Sequence, residues 1–395
     1  MHKRLLNLLL ALALVGCGSR NDIPAQNPPP PLTTPTAITG WAVTTTSVHL
    51  TWDPVPGARA YRVRIRSNYT ETETLGTVSG NSMDTEGLTP FSTYFFTVRA
   101  ERGSESSPYT QEFGLHTHLD ISRFPAGDPD LLDIATWNIQ HFPISGFDTV
   151  SHAGELLAAM NYDLLALQEI ENPQSFQSML DLAPSYQGIL SSSAAYNVNL
   201  ALVYNPEHIT VIEYFDLFPD DILAFPRPAL VAHVQFDGGT PFWVIAVHYK
   251  CCGDGYIDED EYDDEELRRL NASKKLANWV EMFHPDEPVL ILGDFNDLIT
   301  DEDSRNVFTP FYDKDEEWFF GDMAIASDDN ALWSYPSWPS HLDHILMSEE
   351  FAPIFARETA SIGVLPLHHY FYGDFSEYEQ TISDHLPLHM VLEPF

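Results

Sequence analysis

Eight polar residues recur in a fixed order at the ends of apolar runs. They are Asn138 after "IATW", Glu169 after "LALQ", His248 after "VIAV", Asp294 and Asn296 after "LILG", Asp343 inside "SHLDHIL", and Asp384 with His385 inside "SDHLPL". Each has an ordinary reading by itself, since Gly, Asp and Asn are turn residues at strand mouths and a lone His or Glu is a cap or a solvated side chain. As a set they have a chemistry. Hydrolysing a phosphate ester needs a divalent cation on oxygen ligands, a base to take a proton from water, and donors to hold the phosphoryl oxygens. Carboxylates, carboxamides and imidazoles supply all three.

Side chains this far apart in sequence must be brought together by a rigid frame. In residues 131–395 strands and helices alternate: "LDIATWNI" reads as a strand, "ELLAAM" as a helix and "YDLLALQEI" as a strand. Leu267, Leu270, Ala277, Val280 and Phe283 fall near one helical face before the strand "PVLILGDF". This alternation predicts layered sheets and helices, without internal repeats. Residues 37–118 differ. There the short runs "SVHLTW", "AYRVRIRS" and "TYFFTVRAE", separated by turns, predict a small all-β sandwich. A polar hinge at 119–130 joins the two domains. Residues 18–36, with Pro28-Pro29-Pro30-Pro31, form an extended tether. Residues 1–17 read as an export signal, because His2-Lys3-Arg4 precedes an apolar run, Leu5 to Val15, too short to span a membrane comfortably.

Charge narrows the partners. The 395-residue chain carries a formal charge of -39, and its acidity sits in the C-terminal part, where 9 Lys and Arg face 46 Asp and Glu in residues 131–395. General adhesion to nucleic acid or anionic lipid needs a basic face, so an anionic substrate here requires bound cations.

Taken in order, "TWNI", "LQEI", "VHYK", "GDFND", "LDHIL" and "SDHLPL" resemble the endonuclease/exonuclease/phosphatase superfamily, which includes deoxyribonuclease I, over essentially all of residues 131–395. The resemblance implies an α/β fold, a four-layer β-sandwich flanked by helices, following the all-β domain. It implies Mg²⁺ or Mn²⁺ on Glu169 with Asn138 beside it, and Asp384 completing the metal or hydrogen-bond shell. Asp294 and Asn296 would orient water and phosphate, His248 and His385 would contact the scissile phosphoryl group, and Asp343 would pair with His385. The proton acceptor stays open among Asp294, His248 and His385. Arg227 in "RPAL" matches a phosphate-contacting arginine of deoxyribonuclease-like relatives, with a structural arginine as its other reading. Gln140 departs from the acidic residue that some abasic-site nucleases carry there, which weakens a repair-nuclease reading.

Residues 37–118 resemble a fibronectin type III domain through Trp52, Tyr61 and "LTPFSTY", with Tyr94 at the tyrosine corner and a surface partner as the implied ligand. Leu14-Val15-Gly16-Cys17 resembles a bacterial lipoprotein box, implying lipidation of Cys17 and, with Gly18 next, an outer-membrane address. The insert after His248 is acidic at nine of thirteen positions from Asp254 to Glu266. It imitates half of an EF-hand loop, so an irregular Ca²⁺ site from Asp254, Asp258, Asp260 and Glu261 is expected against a solvated loop. Cys251 and Cys252 are read either as a vicinal disulfide or as two reduced buried thiols. The function expected is an exported, lipid-anchored phosphodiester hydrolase, a nuclease acting on nucleic acid. A phosphatase or sphingomyelinase-like phospholipase shares the same core, and a surface adhesin with a dead scaffold is the non-enzymatic alternative. No motif position is lost, which favours an enzyme.

Overall fold

The computed structural model describes residues 30–67, 71–120, 124–192, 197–312, 318–371 and 375–395. The signal segment and Cys17 lie outside them. Among the described residues no helix is long and apolar enough to cross a membrane.

Period-two burial builds the first domain. Strands β1 (Thr39–Thr44), β2 (Ser47–Thr51), β3 (Ala60–Ser67), β4 (Glu73–Val78), β5 (Ser82–Thr85), β6 (Thr93–Arg102), β7 (Glu105–Ser106) and β8 (Phe113–His116) form two sheets, β1-β2-β5 and β4-β3-β6-β7, with β8 also on β6. Alternate side chains such as Val48, Leu50, Val63, Phe96 and Val98 fill the space between them. Trp52 and Tyr61 are core residues, and the Tyr61 hydroxyl accepts the Val55 N–H at 2.6 Å. The Tyr94 hydroxyl accepts the Thr89 N–H at 2.9 Å, which is the tyrosine-corner bond.

The second domain has four layers. One sheet runs β11 (Gln187–Leu190), β12 (Asn199–Tyr204), β10 (Leu164–Ile170), β9 (Leu132–Phe142), β20 (Leu388–Leu392), β19 (Ser361–Val364). The other runs β13 (Ile209–Leu217), β14 (Ala229–Phe236), β15 (Phe242–His248), β16 (Val289–Asp294), β18 (Asp343–Ser348), β17 (Trp318–Phe320). Ile134, Leu164, Val244, Leu290, Ile345 and Met390 belong to the core between the sheets. Helices α1 (Phe147–Met160) and α2 (Pro173–Leu182) pack on the outside of the first sheet, and α3 (Glu265–Phe283) on the outside of the second. Asp264 caps α3 by accepting the Leu267 N–H at 2.7 Å. Of its predicted apolar face Leu270, Ala277 and Val280 are buried, whereas Phe283 in the last turn is exposed. Burial on both faces of the central strands explains their continuous apolar runs.

Two segments read as spacers are packed instead. Leu32 is buried, its N–H donates to Glu105, and Arg102 holds the Pro30 carbonyl, so the end of the tether lies on the sandwich. The hinge is strapped: Leu119 and Phe124 enter the α1 core, and the Gly127 N–H donates to the Met160 carbonyl. Glu155 on α1 is the centre of this junction. Its carboxylate meets His116 Nε2 at 2.6 Å, His118 Nδ1 at 3.1 Å and the Leu119 N–H at 2.7 Å, while Phe91 of the sandwich packs its ring on His152 and Phe371. Isolated polarity in the sequence hid apolar anchors spaced five residues apart.

Replacing Glu155 with Ala strands a buried N–H and two imidazoles. We expect a loss of about 1–3 kcal/mol, read by calorimetry as a melting point lower by roughly 2–4 °C per kcal/mol. An unchanged melting point would show that the junction is held by the aromatic contacts alone.

Candidate active site

The strand register lines up three of the eight residues. Parallel pairing of β15 with β16 sets His248 opposite Asp294, and antiparallel pairing of β16 with β18 sets Asp294 opposite Asp343. They form one rung at the edge of the second sheet. Gly293 makes this approach feasible: it has φ +154°, and a Cβ there would stand 2.0 Å from the Val247 carbonyl oxygen. At the matching edge of the first sheet Gln168 pairs with Asn138, and the register then slips so that Ile170 meets Phe142. Gln140, His141 and Glu169 all take positive φ in this bulge. Non-glycine residues rarely do so, and such a kink re-aims a side chain. Here it turns Glu169 toward the other sheet.

Asn138 closes the gap. Its Nδ2 donates to Glu169 Oε1 at 3.2 Å and to Asp294 Oδ2 at 3.0 Å, joining carboxylates from the two sheets, while its Oδ1 accepts the Gln140 N–H. Asn138 thus meets the carboxylates as a donor that spaces them. Asn296, at φ +52°, donates its N–H to Asp294 Oδ1 at 2.9 Å and its Nδ2 to the Tyr249 carbonyl.

His385 arrives on the loop before β20. Its Nδ1 pairs with Asp343 Oδ2 at 2.7 Å, leaving Nε2 3.9 Å from Asp294 Oδ2 and 4.0 Å from Asp384 Oδ1. The loop is pinned from below. Ser383 Oγ donates to the Asn138 carbonyl at 2.6 Å and accepts the His385 N–H, and Tyr378 donates its hydroxyl to the His385 carbonyl while accepting from Trp137 Nε1. Gln140 Oε1 accepts the Asp384 N–H, so the residue that departs from the abasic-site pattern helps to fix this loop. His248 Nε2 lies 3.5 Å from Asp294 Oδ2 and 3.9 Å from Glu169 Oε1, and its buried Nδ1 has no hydrogen-bond partner among the described residues.

The two histidines are electrostatic opposites. Burial, with the charges of Arg227 and His385 nearby, holds His248 well below the ordinary imidazole range. Burial also opposes charge on His385, but Asp343, through its charge and hydrogen bond, and then Asp294 and Asp384 outweigh it and raise His385. Near neutral pH the site therefore holds one neutral imidazole and one imidazolium. Burial raises Asp294, and burial together with the neighbouring Glu169 raises Asp384 against the pull of His385. Among the described residues no Lys or Arg pairs with Glu169, Asp294 or Asp384. Carboxylates gathered without a Lys or Arg partner, and with His385 and His141 as their basic neighbours, offer the hard-oxygen donors that a divalent cation of the Mg²⁺ type takes.

Arg227 is half-buried beside His248, with Nη1 3.4 Å from the Tyr249 carbonyl. In the insert, Asp254 and Asp258 cap their own turns by accepting the N–H of Tyr256 and Asp260. Asp254, Asp258 and Glu261 line one open cavity with Asp263, Asp264 and Glu265; Asp260 is not part of its wall. Cys251 and Cys252 are free thiols, their sulfurs 3.1 Å apart. Cys251 is half-buried and Cys252 exposed, so the pair matches neither the vicinal disulfide nor the two buried thiols. Tyr335, Ser383, Tyr378 and Arg269 were missed. The Tyr335 ring lies 4.8 Å from that of His385. Ser383 was legible in hindsight, being two residues before His385 in a turn-forming "SDH"; Tyr378, on the short helix Phe375–Thr381, carried no signal apart from its helix.

Residues 135–385 match the family profile described as Endonuclease/Exonuclease/phosphatase family. The chain belongs to this family. Members are phosphodiesterases and related hydrolases, generally dependent on a divalent metal. Residues 33–113 match the fibronectin type III domain. No curated protein sequence matches significantly. Among solved structures, D. rerio TDP2 complexed with single strand DNA product is similar with 16% identity and a TM-score of 0.50, covering 67% of this chain and 99% of that one. The human Nocturnin catalytic domain with bound sulfate anion is similar with 17% identity and a TM-score of 0.49, covering 67% of this chain and 95% of that one. A Bacteroides thetaiotaomicron endonuclease/exonuclease/phosphatase family protein has 17% identity and a TM-score of 0.46, covering 67% and 98%. The likeness to the first is one of fold.

The rung His248-Asp294-Asp343 depends on Gly293, so Gly293→Ala should separate β15 from β16. We expect destabilisation of at least about 3 kcal/mol, measured by denaturant unfolding, with loss of hydrolysis in whatever fraction remains folded. A stable, active variant would contradict the close approach.

Proposed function

We propose that this protein is an exported, lipid-anchored, divalent-metal-dependent phosphodiester hydrolase that acts as a nuclease. One observation carries the reading: Glu169, Asp294, Asp384, His248 and His385 converge where the edges of two sheets meet, and His385 is held by Asp343. Glu169 and Asp384, with Asn138 and Asp294 beside them, would hold Mg²⁺ or Mn²⁺. When bound, the cation supplies Lewis-acid polarisation of the phosphoryl oxygens.

The remaining work falls to this chain's own groups. His385, charged by its pair with Asp343, presents Nε2–H to a phosphoryl oxygen that gains negative charge in the transition state. Neutral His248 offers Nε2 as a second contact, in whichever tautomer the unpartnered Nδ1 permits. Asp294 lies between the two imidazoles, fixed by Asn138 and the Asn296 N–H, and takes the proton from the attacking water. Burial has raised this carboxyl, which brings its basicity toward the working pH of a general base. Arg227, next to His248, meets a flanking phosphate. The solved TDP2 complex with a single strand DNA product supports nucleic acid as substrate class, and the acidic domain favours strands delivered with their own cations.

Replacing His248, Asp294 or His385 with Ala should lower turnover on a single-stranded oligonucleotide by at least about a hundredfold, with melting curves close to wild type. Parallel assays with RNA, sphingomyelin and phosphoinositides identify the substrate; product from a lipid and none from nucleic acid would replace the nuclease reading by the phospholipase one. Folded, fully active H248A and H385A proteins would remove these histidines from the site.

The anchor has its own test. Acyl chains on Cys17 supply the binding energy to the membrane, so Cys17→Ser should move the protein from the detergent phase to the aqueous phase while export continues. Equal partitioning of the two proteins would leave a plain secretory signal.

A further inference from the structure

The ladder between β15 and β16 ends at His248 and Asp294. Beyond it the chains part, one toward the cysteine pair and the acidic insert, the other into Phe295-Asn296-Asp297. Two bonds continue the seam by one step: the Tyr249 N–H to the Asp294 carbonyl at 2.9 Å, and Asn296 Nδ2 to the Tyr249 carbonyl at 3.3 Å. Farther out, Arg269 takes over. It stands on the second turn of α3 with its side chain 3% exposed. Nε donates to Asp297 Oδ2 at 2.7 Å, and Nη1 donates to the carbonyls of Lys250 at 2.8 Å and Cys252 at 2.7 Å. Nη2 lies 3.2 Å from Glu266 Oε1, which also accepts the Gly255 N–H at 2.6 Å.

We propose that Arg269 is a positioning residue of the active site, holding the segment after His248 and the segment after Asp294 at one fixed spacing. The planar guanidinium suits this task because its donors leave in set directions, one toward each segment. A lysine ammonium is a point charge and cannot span both at once. Asp297 is gripped from its other side as well, since His344 Nε2 donates to its carbonyl at 3.0 Å and His344 Nδ1 meets buried Asp322 at 2.6 Å. Arg269 therefore pulls the Lys250–Cys252 strip against a loop that is already anchored. Asn296 bridges the same gap, so a slip of that strip would displace the Asn296 amide and the Asp294 carboxylate that it orients. A misplacement near 1 Å is enough to cost about a hundredfold in rate.

The rate readout rests on the hydrolase reading; a spectroscopic one does not. Arg269→Lys, Arg269→Gln, Asp297→Asn and the R269K/D297N double variant would be assayed on bis(4-nitrophenyl) phosphate with Mn²⁺, well below each melting point. We expect kcat to fall at least about tenfold with KM within about twofold of wild type, and the double variant to be no worse than the poorer single one. In parallel, the imidazole ring resonances of His248 and His385 in ¹⁵N-histidine-labelled protein should shift in R269K, while those of His208, far along the same domain, stay in place. Should R269Q fail to fold, R269K carries both measurements. A folded R269K protein with wild-type kcat, or with unmoved His248 and His385 signals, would reduce Arg269 to a staple of α3. If wild-type protein cleaves no phosphodiester, the hydrolase reading fails and the ring resonances alone decide the role of Arg269.

Discussion

Everything at the site depends on one carboxamide placed between two carboxylates. Asn138 donates a bond to Glu169 in its own sheet and another to Asp294 in the facing sheet. Two acidic groups brought this close repel, and burial makes the repulsion harder to screen. A neutral two-donor group resolves the conflict without taking the place a cation needs. A lysine there would neutralise the pocket; a leucine would leave the two carboxylates facing each other with no donor between them. The sandwich therefore closes at its catalytic end through a hydrogen-bonded bridge, while the rest of the sheet interface is apolar.

The histidines show how one frame creates two protonation states from one residue type. His248 is embedded in β15 with an arginine nearby and stays neutral; His385 stands on a loop with Asp343 behind it and is charged. Both lie within 4 Å of the same Asp294 oxygen. The difference follows from the strand register, because the rung that sets Asp343 beside Asp294 also puts it behind His385. Ser383, Tyr378 and Trp137 then lock the loop, so the charge stays where it is formed.

Much of this was readable from residues alone, and the reason is periodicity. Apolar runs ending in Asn138, Glu169, His248 and Asp294 announced strands that carry these residues toward one shared end of the sheets, and the six motifs in order named the family. What escaped was whatever depends on three-dimensional neighbours. Nothing near Arg269 in sequence says that it will meet Asp297, 28 residues on, in a buried pair. Leu119 and Phe124 sit among polar residues, so the segment looked like a hinge until the α1 surface was there to receive them. Glu169 gave no hint of its left-handed backbone, because the extra residues of the bulge, Ile139 to His141, lie opposite it on β9.

The docked fibronectin domain changes what such a module can do. A sandwich on a loose leash samples all orientations and only raises local concentration. Here Glu155, Phe91 and the buried side chains of Leu119 and Phe124 join it to α1. Whatever grips the sandwich consequently acquires a fixed bearing to the catalytic cleft. With a partner on the sandwich the pair would work like a drill stand: the distance and angle between hold and tool are built in, and the target would present its scissile bond at that one offset.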